Sequence, residues 1–365
     1  MISIKRIPVS ELNSLVSDPS YPQWSVIPIS RHRAKSYAAN PRCMATDIVL
    51  YLAYLDERLV GYRIVLPDVI FANGDAHRVC WLSGVWVDTK HRRKGIASTM
   101  LQAVLDDWDG RVLSTNFTPN SKSVIDKTKQ FVEVNNLQGI RIYLKPCLAR
   151  ILPPKGDFFK HLKPVWVLFD FLLSVFNPLP LLNRMIEIKD VSLEYSNFPD
   201  DEVVRLFQSI MKKTPSQRSG TELKWIFDFP WLVSSPLGDR VGEKFYFSSS
   251  PNRFEQIITK VFRNGKLLGF IITNYTDGFL TTPYIMCPDE EARLFARVLL
   301  KQAFAMRCAR VTTFHQAVGK SLKSLKPFGL LSIEQERKFF VTQKVFDFMG
   351  KGSSFIEGDG DCAFV

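Results

Sequence analysis

"VWVDTKHRRKGIASTML", residues 85–101, closes one element and opens another. Val85-Trp86-Val87 ends an apolar run, and beyond Gly95 apolar residues return at 96, 100, 101, 104, 105 and 108, the spacing of an amphipathic helix. Between them stand Lys90, His91, Arg92, Arg93 and Lys94. The first N–H groups of a helix have no acceptor within it, and the helix dipole adds positive potential there, so a strand, a basic turn and a helix start together make an anion site. Gly95 and Ala97 let a bulky phosphate approach the backbone closely. A solvated basic helix start would explain the charge but not the small residues at 95 and 97.

Working outward, "DIVLYLAYLDERLVGYRIVLPDVIF" (47–71) reads as two strands turning at Asp56-Glu57-Arg58. "RVCWLSGVWV" (78–87) is a largely apolar strand, consistent with burial on both faces. "RVLSTNF" (111–117) is a further strand, "TPNSKSVIDKTKQ" a short helix, and "FVEVNNLQGIRIYLKP" (131–146) a hairpin. The second half repeats this order. "RNGKLLGFII" (263–272) echoes "LDERLVGYRI" (55–64), and Asn264-Gly265 is a type I′ hairpin signal. A long helix from "DEEARLFARVLLKQAFAMRC", a strand from "ARVTTFH", a helix from "QAVGKSLKSL" and an apolar turn at "KPFGLL" follow. Two copies of one α/β fold are therefore expected, in residues 1–150 and 185–365, joined by an apolar, Pro-rich linker at 151–184.

The chain has 365 residues, 46% of them hydrophobic, and a net charge of +12. That suffices for two cores and favours an anionic partner. Without an Arg/Gly-rich or aromatic-ladder motif, nucleic acid is not expected. Six cysteines are scattered singly with no CxxC pair and no clustered histidines. This predicts no metal site and no disulfide framework, and it suits a reducing cytoplasm. "MISIKRIPVSEL" at the start has no apolar signal-peptide region. "VWVLFDFLLSVFNPLPLL" (165–182) is broken by Asp170, Pro178 and Pro180 and is too short to span a bilayer. It reads either as a buried or interdomain helix or as an in-plane peripheral contact with a membrane.

The opening stretch resembles the acyl-CoA signature of the GCN5-related N-acetyltransferase (GNAT) superfamily, Arg/Gln-x-x-Gly-x-Gly/Ala after a buried strand, met here by Arg92-x-x-Gly95-x-Ala97. The order of elements over residues 1–145 resembles that fold as well. The resemblance implies two GNAT-like domains, each a mixed, mostly antiparallel twisted sheet flanked by helices. It implies acetyl-CoA as co-substrate, its pyrophosphate held by Arg92, Arg93, Lys94, Gly95, Ile96, Ala97 and Ser98. Val85, Trp86 and Val87 would splay from the strand at 111–115 and pair with the pantetheine arm, one N–H polarising the thioester carbonyl, with Asn120 nearby. The implied reaction is direct attack by a small-molecule amine, an amino sugar among the acceptors expected by analogy of fold.

The sequence departs from the family in two places. "CWLSGVWV" lacks the glutamate that many relatives use as general base, and "NSKSVIDKTKQF" offers Asp126 and Lys127 where many have a tyrosine. Ser83 and Tyr143 are the remaining catalytic candidates, each also readable as a packing residue, and His91 reads as charge decoration. In the second copy "MCPDEEARLFA" (286–296) replaces the cradle with Asp289, Glu290 and Glu291. These suit a helix dipole and would repel a pyrophosphate, so only the first copy is expected to bind CoA. Trp225 and Trp231 read as core or interface packing. The tail "FIEGDGDCAFV" reads as a surface turn or as a reach toward an amine substrate. Two other readings stay open: an aminoacyl transferase of the peptidoglycan-bridge type, and a CoA-binding regulator without turnover.

Overall fold

In the computed structural model, residues 2–115, 117–175, 186–235, 244–247, 250–325, 331–350 and 352–364 are described. The chain begins with β1 (Ile2–Pro8), α1 (Val9–Ser17) and α2 (Arg31–Ala38). Three antiparallel strands follow: β2 (Ile48–Leu55), β3 (Arg58–Ala72) and β4 (Asp75–Val87). Their turns, Asp56-Glu57 and Asn73-Gly74, have positive φ at both positions, the type I′ geometry that matches strand twist. Helix α3 (Ile96–Asp107) crosses over to β5 (Val112–Ser114), which lies parallel to β4, and α4 (Pro119–Thr128) leads into β6 (Phe131–Tyr143). Three helices, α5 (Leu148–Ile151), α6 (Asp157–His161) and α7 (Lys163–Val175), stand between the halves.

The second half runs through the same plan. It contains β7 (Ser192–Ser196), α8 (Asp201–Met211), α9 (Gly220–Asp228), β8 (Phe254–Arg263), β9 (Lys266–Thr276) and β10 (Phe279–Met286). Asn264-Gly265 and Asp277-Gly278 again have positive φ at both turn positions. Helix α10 (Ala292–Ala305) crosses to β11 (Arg310–Thr313), parallel to β10. Then come α11 (Gln316–Ser324), β12 (Leu331–Thr342) and α12 (Gln343–Met349). Of the expected turn at "KPFGLL", residues 326–330 lie outside the described residues.

The described strands form one sheet in the order β1-β2-β3-β4-β5-β12-β6-β11-β10-β9-β8-β7. The final strands have changed places: β12 of the second half pairs with β5, and β6 of the first half pairs with β11. The hairpin expected at 131–146 is instead one continuous strand, with β12 along one edge and β11 along part of the other. Gly139 lies within that strand and serves close approach. A Cβ there would lie 2.5 Å from the Phe314 ring and 2.6 Å from the Thr313 carbonyl oxygen.

One apolar cluster runs through both halves. Leu52, Tyr62 and Trp81 share it with Phe207, Trp225, Trp231, Phe339 and Phe364. Burying each such side chain contributes about 1.5–3 kcal/mol, so the halves share one core as well as one sheet. A buried ionic clamp adds direction. Arg42 donates to Asp68 and to Glu222, both at 2.8 Å, and to the Ser216 carbonyl at 2.7 Å. Arg218 lies 3.4 Å from Asp68 and donates to the carbonyls of Gly358 (2.7 Å) and Gly360 (2.8 Å). The tail is therefore no surface turn: Asp359 is fully buried and Asp361 nearly so.

Helix α7 is not the buried or interdomain helix of the first reading, because Val167, Leu168 and Phe171 are all more than half exposed. The stretch 176–182 lies outside the described residues. Among the described residues no helix is long and apolar enough to cross a membrane.

Candidate active site

Strands β4 and β5 pair only from Cys80 to Leu82, opposite Val112 to Ser114. Beyond that point β4 continues along β3, with Val85, Trp86 and Val87 opposite Arg63, Tyr62 and Gly61. No described strand takes its other edge. Ser83 is the extra residue of a bulge, since Leu82 faces Val65 and Gly84 faces Ile64. A bulge twists and bends its strand, and here it sits where β4 leaves β5.

The free edge leads into the basic turn. Arg93 has φ 63° and Gly95, directly before α3, has φ 81°. No side chain caps α3, and a Cβ built at Gly95 meets nothing within 4 Å. The first-turn N–H groups thus face open space, beside the exposed Arg92, Arg93 and Lys94. Arg92 Nε also donates to the Val87 carbonyl at 3.3 Å, which ties the turn to the strand end. Space, donors and charge fit a pyrophosphate. The corresponding helix start in the second half carries Glu291, held by Arg263, with Nη2 to Oε2 at 3.0 Å.

At the root of the splay the sequence expectation is sharpened. The Ser83 hydroxyl accepts from Arg33 Nη2 at 2.7 Å and donates to Asp361 Oδ2 at 2.8 Å. Arg33 lies over the Trp231 ring at 3.8 Å and reaches the Tyr37 hydroxyl at 3.4 Å. Asp361 Oδ1 is buried without a hydrogen-bond partner. Burial pushes the Asp361 carboxyl above the ordinary range, against the pull of Ser83 and Arg33. The result is a half-satisfied carboxylate beside the first free position of β4, supplied by the second half of the chain.

The other candidates are placed elsewhere. Tyr143 pairs with Leu331, whereas Val341 of the same strand pairs with Leu113, so Tyr143 lies roughly 30 Å along β12 from the splay. His91 Nδ1 turns to Asp88 at 3.6 Å. Asn120 is exposed on the first turn of α4, and Asp126 is held by Lys122 at 2.7 Å on that helix. Trp225 and Trp231 are buried, with indole N–H groups donating to the Ser36 carbonyl (2.8 Å) and hydroxyl (3.1 Å). Sequence reasoning missed Arg33. Its α2 context, "SRHRAKSYA", carries no signal that one arginine of several would turn inward. Among the described residues no group of three or more His, Cys, Asp or Glu side chains is placed to hold a metal ion.

Residues 10–120 match the sequence model of the Acetyltransferase (GNAT) family. No curated protein matches the chain. The fold is similar to that of a GCN5-related N-acetyltransferase from Anabaena variabilis ATCC 29413, with a TM-score of 0.51 and 10% identity, over 93% of this chain and 72% of that one. It is also similar to a conserved protein from Enterococcus faecalis V583 described as a probable N-acyltransferase, with a TM-score of 0.50 and 11% identity, over 96% and 75%. At these identities the likeness is one of fold.

Proposed function

We propose that this protein, whose residues 10–120 form a GNAT-family acetyltransferase domain, moves an acetyl group from acetyl-CoA to a small-molecule amine. The observation that carries the reading is the open edge of β4, which has the Gly95 helix start at one end and Asp361 at the other. In this reading the N–H groups of the first turn of α3 hold the pyrophosphate, with Arg92, Arg93 and Lys94 supplying the field. Val85, Trp86 and Val87 pair with the pantetheine arm through their backbone, and by family resemblance Asn120 contacts the same arm. A backbone N–H of the splayed strand polarises the thioester carbonyl, an interaction that strengthens as charge develops on its oxygen.

The amine attacks the carbonyl carbon, a C–N bond forms, the C–S bond breaks and the CoA thiolate leaves. The proton lost by the amine passes to Asp361 Oδ1. A carboxylate whose proton affinity is raised by burial is a better base than an ordinary one, and Ser83 and Arg33 hold this one in place. Much of the remaining rate comes from holding amine and thioester together. The six cysteines, scattered singly along the chain, suit a reducing compartment. The test combines a thermal shift with acetyl-CoA and thiol release across a panel of amines. Stabilisation with turnover on at least one amine is expected. No stabilisation sinks the reading, and stabilisation without turnover on any amine leaves a CoA-binding regulator instead.

A further inference from the structure

A cavity of about 500 Å³ opens over the exchanged strands. Arg141 of β6, Arg310 of β11 and Arg337 and Lys338 of β12 line it, with Phe117 and Cys362 also on its wall. Cys362 follows Asp361 directly. Phe117 lies just past Ser114, which pairs with Leu82 ahead of Ser83. The cavity thus adjoins the splay of the first half and reaches the equivalent region of the second, where the β9–β10 register shifts between Thr281 and Tyr284.

Four cations line it against one carboxylate, Glu336. Among the described residues Arg141 reaches the Thr312 hydroxyl, at 3.4 Å. Arg310 lies on the Phe279 ring at 3.9 Å, and Arg337 lies on the Phe314 ring at 4.0 Å while donating to the Glu357 carbonyl at 2.5 Å. The Nε atoms of Arg310 and Arg337 are buried without hydrogen-bond partners. Among the described residues none of the three arginines forms an ion pair, whereas Arg42 and Arg218, equally far from bulk solvent or farther, are both paired with Asp68. Lys338 has Glu133 at 3.5 Å and Glu336 at 3.9 Å. Burial and the charge of Arg141 both push the Arg310 guanidinium down. The three guanidiniums are half-buried around one cavity, where like charges destabilise one another and an anion would relieve the repulsion.

One guanidinium fork suffices for a carboxylate. Three that line one cavity, with Thr281 and Thr312 beside them, suit a dianion or a polyanion. We propose that the cavity holds the phosphate of the acceptor, which is therefore a phosphate-bearing amine. This rests on the acyl-transfer reading for the word "acceptor", but its binding test does not. Inorganic pyrophosphate is titrated calorimetrically into the Gly95→Glu protein, whose cradle is closed to anions. One-site binding is expected, weakened at least ten-fold by adding Arg141→Gln and Arg310→Gln. No binding, or binding unchanged by the two substitutions, overturns the proposal, and citrate binding as tightly as pyrophosphate overturns the phosphate assignment. If the double substitution fails to fold, Arg141→Gln alone carries the comparison, because it leaves the Arg310–Phe279 stack intact. In turnover, glucosamine 6-phosphate should exceed glucosamine at least ten-fold in kcat/KM, and that preference should vanish in Arg141→Gln. Equal use of the two sugars overturns the acceptor assignment while leaving acyl transfer itself standing.

A separate observation carries a second proposal. On α6 and α7, Phe158, Val167, Leu168, Phe171, Leu172 and Leu173 are each about half exposed or more. Lys155, Lys160 and Lys163 are exposed beside them, and Asp170 is turned inward, accepting the N–H groups of Leu148 (2.7 Å) and Ala149 (2.9 Å). The apolar face thus has basic flanks, in a chain of net charge +12. Such a face suits an anionic lipid surface better than a second, equally basic copy. We infer that α6 and α7 lie in the plane of an anionic membrane surface. Flotation with phosphatidylcholine vesicles containing phosphatidylglycerol is expected, and neither pure phosphatidylcholine vesicles nor the Leu168→Lys/Phe171→Lys protein should support it. Absence of flotation, flotation unaltered by the substitutions, or a dimer in solution that the substitutions dissolve overturns the inference.

Discussion

Ser83 and Asp361 lie 278 positions apart in sequence and are joined by a hydrogen bond of 2.8 Å. Ser83 belongs to the strand that opens the splay, and Asp361 to a tail anchored by Arg218 through the carbonyls of Gly358 and Gly360. The carboxylate proposed as base thus comes from the far end of the chain, at the position where the free edge begins.

Asp361→Asn keeps the shape of this contact and removes the proton acceptor. A loss of kcat of about 10²–10⁴-fold is expected, with the acetyl-CoA thermal shift unchanged. Burial raises the Asp361 carboxyl, so wild-type kcat/KM should rise with pH along a limb above the ordinary carboxylate range. That limb should be missing in the variant. An intact pH profile would remove Asp361 from the mechanism.

Gly95→Glu should abolish stabilisation by acetyl-CoA, because it places a carboxylate in the open space before α3. Gly95→Ala is the milder control. It strains a residue at φ 81° by about 1–2 kcal/mol while leaving the site free of negative charge, so binding should weaken without vanishing. Differential scanning with and without acetyl-CoA reads both.

Arg42→Ala leaves Asp68 and Glu222 buried without that partner, and removing one side of a buried pair costs about 3–5 kcal/mol. Urea unfolding should show it. Burial pushes the Glu222 carboxyl up, but Arg42 and Ser219 prevail and bring it down to about 2. A group whose folded value is depressed stabilises above its unfolded value and loses that contribution as pH falls. Wild-type stability should therefore drop between about pH 4.5 and 2, and this part of the acid loss should be smaller in Arg42→Ala.

Glu357 has the opposite sign. Burial pushes its carboxyl up to about 7, so the folded state holds a proton that the unfolded state has already released. Stability from this group is present below about pH 4.3 and is lost as pH rises through 7. Comparing Tm at pH 5 and pH 8, Glu357→Gln should lose less than wild type, and an equal loss would contradict this assignment.

The turn between β4 and α3 was legible because its determinants are local: a strand end, a basic turn, a glycine and a helix start within a few residues. The repeated fold was legible for the same reason, since Asp56-Glu57 and Asn264-Gly265 each specify a tight turn on their own. Strand exchange was not legible. Pairing of β12 with β5 joins Phe340 to Ser114, and nothing in either short apolar segment distinguishes that partner from its own half's neighbour. The same limit made 131–146 read as a hairpin, although Gly139 within it answers to Phe314 far along the chain. Arg33, Asp361 and the unpaired Arg141, Arg310 and Arg337 become a site only when distant segments converge.

The exchange of β6 and β12 also sets an order of events during synthesis. When β6 leaves the ribosome, the strand that will separate it from β5 is roughly 190 residues from being made, a wait of on the order of ten seconds or more at ordinary elongation rates. Until then β5 has an open edge, and the tail that carries Asp361 does not yet exist. A nascent chain that has already formed the turn between β4 and α3 therefore still lacks the carboxylate beside Ser83. Cutting the gene between its two halves would yield two fragments, each lacking the strand that the other contributes, rather than two self-contained folds.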